Sequence, residues 1–189
     1  MRRKTMLHGL AVLLLAAASA SAHADDALWA LLRAGGQVVM VRHALTDPGV
    51  GDPPGMRLDD CKTQRNLSAE GQRDAERLGA ALRSRSVPVT RVLASPWCRC
   101  IETARLAFGR AAEVQPALGN LFGRNELEAT QVAALKKLVQ PQRAGSNLFM
   151  VTHGSTTLAL TGVSPAMAEM VVLTPQAGGF KVAGRLALP

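Results

Sequence analysis

The chain has 189 residues, 48% of them hydrophobic, with 22 Lys and Arg against 14 Asp and Glu. That length supports one compact domain, and the positive balance suits an anionic substrate or an anionic surface. With no dense Lys/Arg run, no Tyr, four Phe and two Trp, nucleic-acid binding is disfavoured, because charge clusters and stacking platforms are both scarce.

The first 24 residues read as an export signal. Arg2, Arg3 and Lys4 give a basic start, LAVLLLAAASASA an apolar middle, and Ala22-His23-Ala24 the small residues a signal peptidase recognises. The apolar stretch is shorter than the ~20 residues of a membrane span, and no cysteine follows it for lipid attachment. The expectation is therefore a cleaved signal over 1–24 and a single domain over 25–189. It carries with it a periplasmic or secreted location and no stable membrane anchor after cleavage. Removing three basic residues and no acidic one lowers the net charge from +8 to +5. His8 and His23 leave with the signal, so histidine chemistry rests on His43 and His153 alone.

Residues 25–33 read as a short helix ended by Gly35-Gly36. The continuous apolar run over 37–42 predicts a strand buried on both faces, with Arg42 and His43 at its C-terminal end. A Gly/Pro-rich loop follows over 47–64, too broken for regular structure and, at about 20 residues, long enough to mark a functional loop. Ser68 predicts the cap of a helix over 69–85, with Ala75, Leu78, Ala81 and Leu82 on one face. Residues 91–95 form the next strand. Ser95-Pro96 then predicts a helix start, a capping hydroxyl followed by proline, with a stop at Gly109.

Residues 112–116 are a short third strand, 117–128 a loop and 128–139 a helix. Residues 147–153 repeat the opening pattern, an apolar strand delivering His153. A short helix from Ser155 and two late strands, 170–174 and 180–188, complete the chain. Strands alternating with helices imply a three-layer α/β/α, doubly wound, mostly parallel sheet, with the final pair adding an antiparallel edge. Nothing marks a linker or a repeat.

Cys61, Cys98 and Cys100 in an exported chain point to one disulfide, with Cys61 bonded to either of the other two. Two histidines and no clustered thiolates give no metal site, and no cofactor is expected.

In doubly wound sheets ligands bind beyond the carboxyl ends of the strands. His43 and His153 end two such strands, Arg42 precedes the first, and Arg99 lies in the first turn of the helix after Ser95. Two arginines and two histidines on one rim suit a doubly charged tetrahedral anion, since guanidinium forks match phosphate oxygens. The N-terminus of the helix after Ser95 adds a favourable dipole.

On these residues the chain resembles the histidine phosphatase superfamily, the phosphoglycerate mutase-like proteins. Arg42-His43-Ala44 is similar to the family's R-H-G, and Asn66-Leu67-Ser68 with Gly71 to its L-T-x-x-G helix. Ser95, Pro96, Arg99, Thr103 and Ala104 fall in register with its S-P-x-x-R-x-x-x-T-A segment, and MVTHGS resembles its second-histidine motif. The four segments stand in family order.

The resemblance implies a metal-independent phosphatase in which His43 attacks phosphorus, Arg42 and Arg99 hold the nonbridging oxygens, and His153 contacts the phosphoryl group. Arg65, just before the L-T-x-x-G-like helix, is a further substrate-binding candidate. Ala44 departs from the family glycine. A larger departure is the proton donor: the family's glutamate is expected near Asn120. Glu126 is the candidate replacement, with Glu128, Asp47 and Asp52 as competitors.

The expected partner is a small phosphorylated substrate or a phosphorylated glycolipid. The segment before the 69–85 helix most resembles the exported branch that includes lipopolysaccharide core heptose phosphatases. Two alternatives follow from Asn120: a catalytically degenerate phosphate-binding or glycolipid-phosphate-binding protein, or a hydrolase of phosphoanhydrides or phosphohistidine. Oligomeric state is open.

Overall fold

The computed structural model describes residues 25–187; the signal read over 1–24 lies outside them. The strands are β1 (Val38–Arg42), β2 (Arg91–Ala94), β3 (Glu113–Val114), β4 (Leu148–Thr152), β5 (Met170–Gln176) and β6 (Gly179–Leu186). Helix α1 covers 25–34. It is followed by α2 (Ala69–Ser84), α3 (Cys98–Phe108), α4 (Glu128–Leu138) and α5 (Gly154–Thr161).

The sheet runs β3-β2-β4-β1-β5-β6. The first four strands are parallel, and β5 and β6 are antiparallel. The antiparallel part is therefore two strands wide, a hairpin turning at Ala177-Gly178. This is the three-layer, mostly parallel architecture expected from the alternation of elements.

The apolar run of β1 is continuous because both its faces are covered. Val39 and Val41 pack with Leu28, Leu32, Leu78, Leu82 and Ala104 in one cluster, under α1, α2 and α3. Val38 and Met40 pack with Leu135 and Leu160 in a second cluster, under α4 and α5. β4 alternates in the same way, with Phe149 and Val151 on the first side and Leu148 and Met150 on the second. A strand buried on both faces has no polar alternation to show, and none is present.

Ser68 caps α2 as expected, its hydroxyl accepting from the Gly71 amide at 3.1 Å. Gly71 is required there: a Cβ at this position would fall 1.8 Å from the Leu45 carbonyl oxygen, so only glycine lets α2 close on the turn after His43. The start of α3 differs from expectation. The helix begins at Cys98, with Trp97 as its cap residue and no side-chain capping bond. The Ser95 hydroxyl has a tertiary partner instead, described below. The loop over 47–64 contains a single 3-10 turn, Cys61–Thr63, and the 117–128 loop contains two, Pro116–Leu118 and Asn125–Leu127.

The disulfide joins Cys61 to Cys98 and leaves Cys100 free and buried. It ties the long loop to the first turn of α3 across 37 residues, a closure that contributes on the order of 3–4 kcal/mol against the unfolded chain.

Candidate active site

Because β1 and β4 are neighbouring parallel strands in register from Val38–Leu148 to Arg42–Thr152, His43 and His153 leave the sheet side by side. Their ring centroids are 5.4 Å apart. They floor a cleft of about 440 Å³, lined also by Arg42, Arg65, Arg99 and Asn120.

Each basic group is held by local bonds. The His43 ring nitrogen Nδ1 lies 2.9 Å from the Ala44 carbonyl, so Nδ1 carries the proton and Nε2 keeps its lone pair. Thr103 locks the same turn to α3: its hydroxyl accepts from the Ala44 amide at 3.1 Å and donates to the Arg99 carbonyl at 2.7 Å. Arg42 donates from Nη1 to the Pro165 carbonyl at 2.8 Å. A Cβ on Gly154 would stand 3.2 Å from Arg42 Cζ, so glycine at that position leaves the guanidinium its place.

His153 Nε2 is 2.8 Å from the Ser95 hydroxyl, which itself accepts from the Trp97 amide at 3.4 Å. With Ser95 donating to Nε2, the proton of His153 sits on Nδ1, 3.5 Å from Arg99 Nη2. Both groups are then donors facing a common acceptor position.

Arg99 is 1% exposed, and its partners account for most of its five N–H groups. Asp52 takes both ends of the fork, Nη1 to Oδ1 at 2.6 Å and Nη2 to Oδ2 at 3.1 Å. The Arg65 carbonyl takes the second Nη1 hydrogen at 3.3 Å. The Nε of Arg99 has no partner, and neither has the buried Nε of Arg42 or of Arg65. The three arginines line one cleft, and guanidinium groups converging in this way suit an anion. Asp52 is fixed in turn by the Trp97 indole N–H at 3.0 Å and the Arg65 amide at 3.2 Å. Arg65 donates from Nη1 to the Gly49 carbonyl.

With Asp52 ionised and both histidines neutral, the cluster carries three positive charges and one negative, a net of +2 that matches a phosphate dianion. Burial, with the Arg99, Arg42 and Arg65 charges, lowers His43 to about 3 despite the opposing Ala44 hydrogen bond. Burial and the neighbouring His43 and arginines push His153 well below its ordinary range. Arg42 is lowered by burial and by Arg65. Burial acts to raise Asp52, but the hydrogen bond and charge of Arg99, with Trp97 and the Arg65 amide, hold it below the ordinary value. Cys100, beside His153 at 3.5 Å, is pushed up to about 12 by burial and stays a thiol.

These shifts make acid sensitivity predictable. Both histidines are unprotonated when folded, whereas in the unfolded chain they take up protons below about pH 6.5. The unfolded state thus binds more protons below that pH, so stability is full above 6.5 and declines as pH falls toward 3. Between pH 6 and 5 each histidine adds a slope of up to ~1.4 kcal/mol per pH unit. Urea unfolding in phosphate-free buffer is expected to show this decline, with the slope roughly halved in His43→Gln. A midpoint that stays flat from pH 7 to 5 would mean the folded protein protonates its histidines.

The sequence-based residues divide cleanly. His43, His153, Arg42, Arg99 and Arg65 all line the cleft. Glu126 does not: it is exposed in the Asn125–Leu127 3-10 turn, outside the residues that line the cleft. Asn120 lines the cleft where the acid was expected, its Oδ1 accepting from the Ser155 hydroxyl at 2.9 Å and from the Phe122 amide at 3.1 Å. Glu128 is exposed at the start of α4. Among the described residues no Asp or Glu is found lining the cleft. The first amide of α3, Cys98, donates to the Gln64 side chain at 2.9 Å, so it is not offered to a ligand. The helix start that opens on the cleft is that of α5, through Gly154 and Ser155.

Sequence reasoning missed three supports. In the sequence Asp52 reads only as a competing acid, and Ser95 as a helix cap within the S-P-x-x-R-like segment, with no sign of the bond to His153. Glu169, buried at 3% exposure, had no local signal. Its carboxylate accepts from the Ala166 amide and from Arg185, each at 2.6 Å, which fixes the turn that receives Arg42.

Residues 38–124 match the sequence model of the histidine phosphatase superfamily (branch 1). No curated protein matches the chain by sequence. Among solved structures, the chain is similar to an open reading frame product of Mycobacterium tuberculosis at 15% identity and TM-score 0.60, covering 78% of this chain and 95% of that one. It is similar to the protein histidine phosphatase SixA complexed with tungstate at 19% identity and TM-score 0.54, covering 80% and 96%. It is similar also to a mycobacterial glucosyl-3-phosphoglycerate phosphatase complexed with VO3, at 17% identity and TM-score 0.58, covering 78% and 97%. Over residues 38–124 the chain thus matches the histidine phosphatase superfamily (branch 1), and its fold is shared with these solved structures.

Proposed function

We propose that this protein is an exported, metal-independent phosphatase that hydrolyses a phosphomonoester through a phosphohistidine on His43. The observation that carries the reading is the Nδ1 bond from His43 to the Ala44 carbonyl, which leaves the Nε2 lone pair free in a cleft lined by Arg42, Arg65 and Arg99. Neutral His43 attacks phosphorus, and the bond to the leaving oxygen breaks. Arg42, Arg65 and Arg99 stabilise charge on the nonbridging oxygens. His153 donates from Nδ1 to one of those oxygens. Water then attacks phosphorus, the P–Nε2 bond breaks and returns its electron pair to His43, and inorganic phosphate leaves. The proton lost by the water is taken up through solvent by the departed leaving group. Export rests on the 1–24 segment, and the substrate is a small phosphorylated compound or a phosphorylated glycolipid outside the cytoplasm. The narrower kinship with lipopolysaccharide core heptose phosphatases rests on the segment before α2 alone.

The test is phosphate release from an aryl phosphate in the presence of EDTA, with an alkaline denaturing quench to trap an acid-labile, base-stable phosphoprotein. Tight phosphate binding without turnover or a trapped intermediate would instead make the protein a binder with a degenerate site.

A second reading follows from Asn120 and Asp52. Asn120 has no proton to give as an acid, and Asp52 is locked on Arg99 with its pKa lowered. Leaving groups that depart without protonation are then favoured, including phosphoanhydrides and phosphoramidates. Across substituted phenyl phosphates, log(kcat/KM) is expected to fall steeply as the phenol pKa rises, about tenfold over two units. A flat dependence would show that an acid operates.

A further inference from the structure

Eight large apolar side chains are exposed among the described residues, and three of them, Val50, Phe122 and Leu158, line the phosphate cleft. They come from separate segments: the long loop after β1, the turn after Leu118, and α5. Half-buried Met167 joins them from a fourth. A lone exposed hydrophobic is ordinary on a protein surface. Four from four segments around one cationic floor are not scattered, and none of them belongs to a core cluster. Val50, at 87% exposure, contributes almost no burial to the fold.

The cleft also continues outward. Val50 and Phe122 border a second groove of about 450 Å³, lined by Pro53, Met56 and Trp97. The two segments meet there, since a Cβ on Gly51 would lie 3.8 Å from Phe122 Cε1. The groove's ionisable side chains, among the described residues, are already engaged. Asp52 is paired with Arg99, and Arg124 stands over the Trp97 ring at 5.2 Å. Above the arginines the polar side chains on the cleft wall are Asn120, Ser155 and Ser164, and the first two are bonded to each other. A hydroxyl-rich leaving group would need many placed donors and acceptors, because an unmatched polar group loses its water without compensation.

We infer that the rim and the groove receive an apolar leaving group, so that the substrate is a phosphate ester whose aryl portion begins at the bridging oxygen. The inference rests on the phosphatase reading above and adds the chemistry of the group that departs. It commits to the substrate itself as the occupant, because the apolar surface is continuous with the phosphate floor.

The experiment compares 4-methyl-, 4-butyl- and 4-hexylphenyl phosphate on the intact protein, below the concentration at which the esters aggregate. The three phenols have nearly equal acidity, so only the apolar reach changes. The expected result is a rise in kcat/KM of about tenfold or more from methyl to hexyl, carried mainly by KM. Phe122→Ser and Val50→Ser are each expected to flatten that rise; both sites are exposed, so the fold should be unaffected. A flat or falling series overturns the inference, as does a slope unchanged in both variants. Faster turnover of a hexose phosphate than of the hexylphenyl ester also overturns it. If no ester is hydrolysed and no phosphoprotein forms, the phosphatase reading fails on its own. The rim is then judged by calorimetry with methyl-, butyl- and hexylphosphonate, where affinity rising with chain length upholds it and equal affinity overturns it.

Discussion

His43→Ala is expected to lower kcat on an aryl phosphate by about 10⁴-fold or more and to abolish the trapped phosphoprotein, while leaving phosphate binding in place. The size follows from what the side chain does in the proposed reaction. A nucleophile has no partial substitute, and the other histidine of the described residues is committed to Ser95 through Nε2. Folding should survive, because the ties at this position are backbone ones: the His43 amide to the Thr152 carbonyl at 2.9 Å, and the Ala168 amide to the His43 carbonyl at 3.3 Å. Phosphate binding should survive because the three arginines are held by Pro165, Gly49, Asp52 and the Arg65 carbonyl, none of which needs the imidazole. Quenched-flow trapping and calorimetry with inorganic phosphate separate the two properties. A variant that keeps a tenth of its turnover would remove His43 from the chemistry.

The part of this site that could be read from the sequence is the part written in backbone patterns. β1 and β4 are unbroken apolar runs because both sheet faces are covered, and such a run ending in His43 or His153 announces a strand end at the ligand rim. That β1 and β4 are neighbours is a matter of strand order, which no local pattern carries. Ser95 shows the failure of a local rule: serine before proline is a good helix start, but the hydroxyl gains more from buried His153 than from a solvated helix end. Glu126 is the acid nearest in sequence to the expected position, yet the segment from Asn120 to Leu127 turns twice, sending Asn120 to the cleft and Glu126 to solvent. Asp52 sits in a loop with three other aspartates and no periodicity, and only a partner 47 residues away distinguishes it. The cysteines were half legible. Two residues apart on a helix, Cys98 and Cys100 point in different directions, the first to the loop and the second into the core, a choice that requires knowing which side of α3 is buried.

Arg99→Met should damage both activity and stability, and the two losses are expected to separate in a double variant. Removing a cationic donor from a phosphoryl-transfer site lowers kcat/KM by about 10²–10³-fold. Here the same change strands Asp52, whose side chain is only 10% exposed and which then keeps the Trp97 and Arg65 donors but no countercharge. Leaving one partner of a buried ion pair costs about 3–5 kcal/mol. Asp52→Asn added to Arg99→Met removes the stranded charge and keeps an oxygen for the Trp97 indole, so most of the stability is expected to return while turnover does not. Urea midpoints and kcat/KM of the two single variants and the double close a thermodynamic cycle. A favourable coupling in stability, without recovery of catalysis, would place Asp52 as the group that positions the Arg99 guanidinium. If the double variant were no more stable than Arg99→Met, the pair would not be acting as a pair. Asp52 would then owe its place to the Trp97 and Arg65 donors rather than to the Arg99 charge.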